Sequence, residues 1–300
     1  MASDDNTDTD FSDLDDASFG LELDETGGLP GGYHTSNNPQ APYQRQTVTE
    51  RRGPVDIRCK AREVVHGFMS PDNDAFATFL VYDFHFDASK RFRRVAWADV
   101  TFQFSSSEAG VSPPEVVGMV PLGRYALLPT TQETSYTREG GLNADVGGFG
   151  ATVGASATLS KTVSGTVTTE VKVVGNKVCD VYGRETGVSW SLHENEGSRK
   201  GVPSFFRAAI LLKREQDVPF ECTVKIDVEA DWRTQMRRFW GSKPKDDPIL
   251  FDPDMPPTNK LRGKYDTENL GGINLDEFFD ITFETMFDSA VKTHSLASPE

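Results

Sequence analysis

The chain has 300 residues and a net charge of −15. Ten acidic residues and no Lys or Arg lie in residues 1–32, and twelve acidic against four basic residues lie in 246–300, so the body between them is near neutral. This distribution disfavours nucleic acid as a partner, because phosphate binding requires a clustered basic surface.

Cysteine usage and the N-terminal sequence bear on the cellular compartment. Cys59, Cys179 and Cys222 are too few and too dispersed for a disulfide framework or a metal knuckle. Met-Ala-Ser-Asp-Asp lacks the basic and apolar regions of a signal peptide, and no run reaches the roughly 20 apolar residues of a transmembrane helix. We therefore expect an intracellular protein, cytoplasmic or nuclear.

Residues 1–54 are predicted to form a disordered acidic tail, because bulky apolar residues are too sparse to offset the cost of ordering. Apolar residues nevertheless sit among the acids of its first half. Mixing of this kind is typical of segments that dock on a partner, although a purely solvating tail fits the same composition. The candidate partner-binding residues are Phe11, Leu14, Phe19, Leu21 and Leu23.

Residues 55–241 are predicted to form one antiparallel two-sheet β-sandwich, because short alternating runs are separated by turn signals. The continuous apolar run Phe205–Leu212 predicts a central strand covered on both faces, paired as a hairpin with the strand at 220–232. The other predicted strands are 55–65, 76–86, 92–104, 116–120, 125–128, 178–182 and 188–193.

The longest alternating stretch runs from residue 149 to 173. Alternation with period 2 places one set of side chains on each face of a sheet, and here the second set is rich in Ser and Thr. We expect a long hairpin over 142–174, with Lys161 and Gly165 marking its tip. The apolar row, a candidate membrane-facing surface, comprises Phe149, Ala151, Val153, Ala155, Ala157, Leu159, Val163, Val167, Val171 and Val173.

Two helices are predicted near the C-terminus. Trp232, Met236 and Trp240 have helical spacing, which indicates one short helix. Asn274 and Glu277 have the spacing of a capping box and open an amphipathic pattern, which predicts a helix over 274–292 packed on the body. Residues 242–273 between them are rich in Pro, Asp and Gly and predict an extended arm, and 293–300 a disordered end.

The sequence contains none of the common catalytic or cofactor-binding motifs. No HExxH, P-loop or GxSxG sequence occurs, and the glycine-rich run 148–154 precedes alternating Ser, Thr and Val rather than the helix that a dinucleotide site requires. We therefore predict no catalytic residue and no cofactor. Four aspartates, Asp246, Asp247, Asp252 and Asp254, are weak candidate calcium ligands, since oxygen-rich loops bind Ca²⁺, but they lack the periodic spacing of a calcium loop.

Two resemblances accompany these patterns. The runs GVPSFFRAAILLKR at 201–214, DDPILFDP at 246–253 and NKL…KYDTENL at 259–270 resemble recurring segments of a family of uncharacterised filamentous-fungal proteins, over roughly residues 55–291. That resemblance implies no activity and no functional residues. Separately, the 142–174 region is similar in texture to the insertion hairpin of aerolysin-type pore-forming proteins.

Three functions remain open from the sequence. The first is a non-enzymatic β-sandwich module that binds a protein partner or self-associates into an oligomer. The second is a membrane-active or pore-forming protein that uses the hairpin, since about 9–11 alternating residues span a membrane as a strand. The third is an enzyme whose site assembles from distant residues. The sequence favours the first, and burial of the apolar row discriminates between the first two.

Overall fold

The computed structural model describes residues 34–52, 55–88, 94–142, 157–230, 246–258, 265–283 and 291–293. Within them the chain forms thirteen β-strands and two short 3-10 turns. The strands assemble into a seven-stranded and a six-stranded sheet, and every strand pairing is antiparallel. This confirms the prediction of an all-β protein with two antiparallel sheets.

The first sheet has the strand order β1-β2-β3-β9-β12-β13, and β5 also pairs with β9. Its strands are β1 (Thr47–Arg51), β2 (Val55–Ser70), β3 (Asn73–Ala88), β5 (Glu115–Val120), β9 (Phe205–Arg214), β12 (Asp280–Phe283) and β13 (Val291–Thr293). The second sheet has the order β11-β10-β4-β8-β7-β6. Its strands are β4 (Val95–Ser106), β6 (Gly123–Leu142), β7 (Ala157–Cys179), β8 (Glu185–His193), β10 (Phe220–Ala230) and β11 (Ile249–Phe251).

The core lies between the two sheets and is rich in aromatic side chains. Tyr82 and Phe84 of the first sheet meet Phe102 of the second at ring-centroid distances of 4.6 and 6.1 Å. Trp190 of β8 is fully buried beside Phe84 and Phe206, at 6.2 and 5.9 Å. Such aromatic contacts between facing sheets hold the two layers together.

The strand β9 lies in the interior of its sheet, as its continuous apolar sequence predicts. All residues from Ala208 to Leu212 are buried, so both faces of the strand are covered. The predicted hairpin of β9 with the following strand is wrong, because β9 and β10 belong to different sheets. The predicted strand at 178–182 is also corrected, since β7 ends at Cys179 and residues 180–184 form a turn to β8.

The prediction of disorder up to residue 54 is wrong for residues 34–52. Thr47–Arg51 pairs with β2, and the preceding residues are held by the 246–248 segment. Asp246 accepts hydrogen bonds from the Thr35 amide at 2.7 Å and from Thr49 Oγ1 at 2.7 Å. The ordering therefore comes from contacts about two hundred residues away along the chain, which composition does not reveal. Residues 1–33 lie outside the described residues.

The predicted C-terminal helix is wrong where the structure describes the chain. Asn274 does cap Leu275–Phe278, with its side chain accepting from the Asp276 amide, but this element is a single 3-10 turn. The chain then continues as β12, which pairs with β9. Residues Asp280–Phe283 are all buried, so pairing with an available sheet edge outweighs local helix propensity. The predicted helix at 232–240 lies outside the described residues.

Candidate functional site

A long hairpin of β6 and β7 forms the edge of the second sheet. Its register runs from Gly123 opposite Gly175 to Leu142 opposite Ala157. The predicted hairpin is thereby corrected in its arms and its tip. Lys161 lies opposite Arg138 in the middle of the strands, and the connection falls between Leu142 and Ala157. The alternating stretch supplies one arm of the hairpin. The other arm is the polar strand that precedes it in the chain, and the weak apolar pattern of that strand gave no prediction of a long strand.

The outer part of this hairpin extends beyond the rest of its sheet. The strand β8 pairs with β7 only from Lys172 to Cys179 and ends at His193, opposite Lys172. Beyond that point, Thr130–Leu142 and Ala157–Thr169 pair only with each other among the described strands. We call this segment the outer hairpin. The edges of both its strands are free of a further strand in the described structure.

Burial along the apolar row changes where β8 ends. Val173 and Val171 are 0% and 2% exposed, whereas Val167 is 48% exposed. The row is therefore part of the sandwich core at Val171 and Val173 and is exposed at Val167. Ala157, Leu159 and Val163 lie in the outer part of β7. Phe149, Ala151, Val153 and Ala155 lie outside the described residues.

The register sorts the positions of the outer hairpin into two faces, because neighbouring residues of a strand point to opposite sides. One face, the hydroxyl face, combines Thr131, Glu133, Ser135, Thr137, Glu139 and Gly141 with Thr158, Ser160, Thr162, Ser164, Thr166 and Thr168. The other, the mixed face, combines Gln132, Thr134, Tyr136, Arg138, Gly140 and Leu142 with Ala157, Leu159, Lys161, Val163, Gly165 and Val167. The hairpin is thus two-sided, and its mixed face carries one pair of opposed basic positions.

A β-bulge marks the neck, where the outer hairpin joins the body. Leu127 lies opposite Val171 and Thr130 opposite Thr169, so Leu128 and Pro129 together oppose one residue of β7. Leu128 has φ +50°, a left-handed conformation that is uncommon for a residue with a branched side chain. Bulges interrupt the ladder and bend the strand, so we expect the outer hairpin to change direction at the neck.

Asn195, in the loop after β8, holds both strands at the neck. Its side-chain amide donates to the Leu128 carbonyl at 3.1 Å, to Thr130 Oγ1 at 3.1 Å and to the Thr169 carbonyl at 2.9 Å. Its Oδ1 accepts from Thr169 Oγ1 at 2.7 Å. Asn195 is 1% exposed. No local pattern in the sequence singles out Asn195, because its partners Leu128, Thr130 and Thr169 are distant along the chain.

A groove of about 390 Å³ lies beside the neck. Arg124 donates to Glu170 at 2.9 Å, and Glu194 accepts from Arg94 at 2.7 Å, so two of its acids are neutralised. Its charges are of both signs and suit no single ionic ligand. Its lining residues are Arg124, Thr168, Thr169, Glu170, Lys172, Val174, His193, Glu194 and Glu196.

Three of the four candidate calcium ligands, Asp246, Asp247 and Asp252, accept hydrogen bonds through their carboxylates. Asp246 and Asp247 hold the N-terminal segment, with Asp247 accepting from the Asn37 amide at 2.9 Å. Asp252 accepts from the Asp254 amide at 3.1 Å, as in a local turn. In the described part of the chain, no three His, Cys, Asp or Glu residues are grouped so that they could hold a metal ion.

Buried titratable groups lie in the core rather than at the hairpin. Burial raises the pKa of the Cys59 and Cys222 thiols well above their usual range, which makes both poor nucleophiles because the thiolate is the reactive form. Burial, and next the charge of Arg214, lower the pKa of His66 to about 3. His66 contacts Gln44 and Thr78 in the interior, at 2.9 Å each. These groups have structural partners and form no catalytic arrangement with one another.

Comparisons with known proteins add little to this geometry. No family model matches the chain, and no curated protein sequence does. The chain is similar to the Clostridium perfringens NetB toxin in its membrane-inserted form, with 9% identity, a TM-score of 0.27 and coverage of 59% of this chain and 78% of that one. A TM-score of that size carries no argument. Across the described residues, no helix has the length and apolar character to cross a membrane.

Proposed function

We propose that this protein is membrane-active and inserts its outer hairpin into a lipid bilayer, where copies of the chain together line a pore. The observation that carries this proposal is the projecting hairpin: Thr130–Leu142 and Ala157–Thr169 pair only with each other among the described strands. Each arm is longer than the about 9–11 residues that cross a bilayer as a strand. The hydroxyl face would line the aqueous side.

The opposed basic positions bound the part of the hairpin that inserts. Arg138 and Lys161 face each other in the register, and a cation on the lipid side of a strand costs about 2–4 kcal/mol at the bilayer midplane. Residues 139–160 between them contain no Lys or Arg. Arg138 and Lys161 would then lie at the headgroups.

Dye release from phosphatidylcholine and phosphatidylserine vesicles tests the proposal, and two neighbouring substitutions make a matched pair. Ala157 belongs to the mixed face and Thr158 to the hydroxyl face. We expect Ala157→Asp to abolish release, because it places a carboxylate against lipid, and Thr158→Asp to retain it. Absence of release by the unaltered protein at high concentration contradicts membrane insertion, and equal loss in both variants contradicts the assignment of the two faces.

Self-association or binding of a protein partner without a membrane is the second candidate. Among the described strands β6 is the last of its sheet, so the backbone groups along its outer side are available to another strand. Pairing of β6 from one copy with the free edge of β7 from the next would form such an assembly. Light scattering in the absence of lipid tests it, and a monomer at all concentrations restricts assembly to the membrane.

The acidic N-terminal segment is the second surface that this candidate offers. Phe11, Leu14, Phe19, Leu21 and Leu23 would dock in an apolar groove with basic surroundings on a protein partner. They lie outside the described residues, so the proposal rests on their sequence alone.

The absence of an enzymatic activity likewise stays a prediction.

A further inference from the structure

The neck combines features that rarely occur together in a paired strand. The β6–β7 register is continuous from Thr130 to Leu142, and its shift lies between Leu127 and Thr130. Pro129 has no amide hydrogen to donate there. Leu128 adopts φ +50°, a conformation that persists only where the surroundings hold it. The ladder is therefore weakest at the base of the projecting segment.

Asn195 supplies the contacts that hold this weak point. Its amide group reaches Leu128, Thr130 and Thr169, so it contacts β6 within the bulge and directly after it, and also β7. The loop that carries it is itself fixed to the body. Glu194, its neighbour, accepts from Arg94 at 2.7 Å and donates through its amide to the Ala96 carbonyl at 2.9 Å.

The chemistry requires an asparagine at this position. Its Oδ1 accepts from Thr169 Oγ1 and from the amides of Gly197 and Ser198, at 2.7, 2.9 and 3.1 Å. Its Nδ2 must donate, because two of its three partners are carbonyl oxygens. An aspartate has the same shape and keeps the Oδ1 contacts, but it turns the donor into an acceptor facing those carbonyls.

We propose that Asn195 is a latch that fixes the direction of the outer hairpin, and that its release allows the outer hairpin to swing about Leu128 and Pro129. This inference rests on the proposed function in one respect only, namely that the swing precedes membrane insertion. The hinge at Leu128 and Pro129 is a property of the protein in solution and does not depend on membrane insertion. Asn195 thus acts as a positioning residue, since it determines where the inserting segment points.

Distance measurement between two spin labels tests the latch in the full chain without lipid. One label replaces Thr162 in the outer hairpin and the other replaces Thr223 of β10 in the body, in a background where the exposed Cys179 is Ser. We expect Asn195→Asp to broaden the distance distribution and to speed amide exchange next to the bulge about tenfold, the effect of losing a hydrogen bond worth about 1.4 kcal/mol. Glu196→Gln, in the same loop, is the matched control and keeps the wild-type distribution.

The variant Leu128→Gly should have the opposite effect to Asn195→Asp. Glycine adopts positive φ without penalty, so this variant stabilises the held geometry and leaves the distance distribution as narrow as in the wild type. It should also slow dye release from vesicles several-fold, whereas Asn195→Asp should accelerate it.

The possible results separate the latch from the proposed function. A distribution for Asn195→Asp that equals the wild type overturns the latch, whatever the vesicles show. A broadened distance distribution for Asn195→Asp, with no dye release by any variant, supports the hinge at Leu128 and Pro129 and contradicts membrane insertion. Should Asn195→Asp fail to fold, Thr169→Val removes the 2.7 Å bond from the hairpin side and must broaden the distribution for the latch to stand.

Discussion

His66 is a single residue through which acid should weaken the fold. Gln44 Nε2 can only donate, so His66 Nε2 accepts and Nδ1 donates to Thr78, which fixes a neutral ring. Its pKa in the fold is lowered to about 3 from 6.5. The unfolded chain therefore binds more protons between these two values. The stabilisation is complete above pH 6.5 and is lost as pH falls toward 3.

This gives a prediction for thermal unfolding as a function of pH. We expect the contribution of His66 to the free energy of unfolding to fall by up to about 1.4 kcal/mol per pH unit below pH 6.5. His66→Gln, measured by differential scanning calorimetry from pH 7 to pH 4, should lose this part of the acid sensitivity. Parallel curves for the variant and the wild type across that range would show that His66 is not the responsible group.

Single residues also show where sequence reasoning stops. The apolar parity of Val171 and Val173 predicts their burial, because alternation follows directly from strand geometry. Asn195 gives no such signal, since its six side-chain contacts join three separate segments of the chain. The same holds for Asp246, whose partners lie near the N-terminus. Hydrogen bonds between residues that are distant along the chain leave no periodic pattern in the sequence, so local sequence reasoning does not predict them.

At the scale of the element, the root of the hairpin depends on a close backbone approach at Gly175. A Cβ built there would lie 2.0 Å from the Pro121 carbonyl oxygen, which also accepts from Trp190 Nε1 at 3.0 Å. The Pro121 carbonyl belongs to the backbone and Trp190 is buried in the core, so neither can move aside without a loss of stability. We expect Gly175→Ala to destabilise the protein by about 1–3 kcal/mol, measured by denaturant unfolding. The exposed neighbour offers a control, since Asn176→Ala should change stability by less than about 0.5 kcal/mol.

The basic pair of the outer hairpin predicts a dependence on lipid charge. If Arg138 and Lys161 lie at the headgroups, each contributes about 1 kcal/mol of attraction to an anionic bilayer. The variant carrying both Arg138→Gln and Lys161→Gln should bind phosphatidylserine vesicles about 30-fold less tightly, as measured by cosedimentation, while binding to pure phosphatidylcholine changes little. An equal loss of binding to both vesicle types would contradict a position of Arg138 and Lys161 at the headgroups.

The elements differ in how far their own sequence determines them. Strands with a clear apolar period, such as β4 and β8, lie where the pattern places them. The arm Thr130–Leu142 was missed because its partner strand, rather than its own composition, makes it extended. The chain after Asn274 was misassigned because a capping box describes only the first turn, and the free edge of β9 decided what followed.

At the scale of the whole molecule, the acidic N-terminal segment should act through a partner rather than through the fold. We expect deletion of residues 1–32 to leave the unfolding transition unchanged and to remove specific proteins from a pulldown in the cell of origin. The control is a variant with Phe11, Leu14, Phe19, Leu21 and Leu23 replaced by Ser, which keeps the charge. An unchanged set of captured proteins in both cases removes this segment from the interaction hypothesis.

The two unlike edges of the outer hairpin constrain any assembly that this chain forms. An outer edge of β6 that meets an outer edge of β7 on the next copy is a head-to-tail contact, so the joined pair still offers one edge of each kind. Growth of such an assembly ends only when the rotation between copies closes a ring; otherwise it continues as a filament. A bend at the bulge of Leu128 and Pro129 would contribute to that rotation. A substitution at the neck should therefore change the number of copies per assembly, or convert a discrete particle into a fibre.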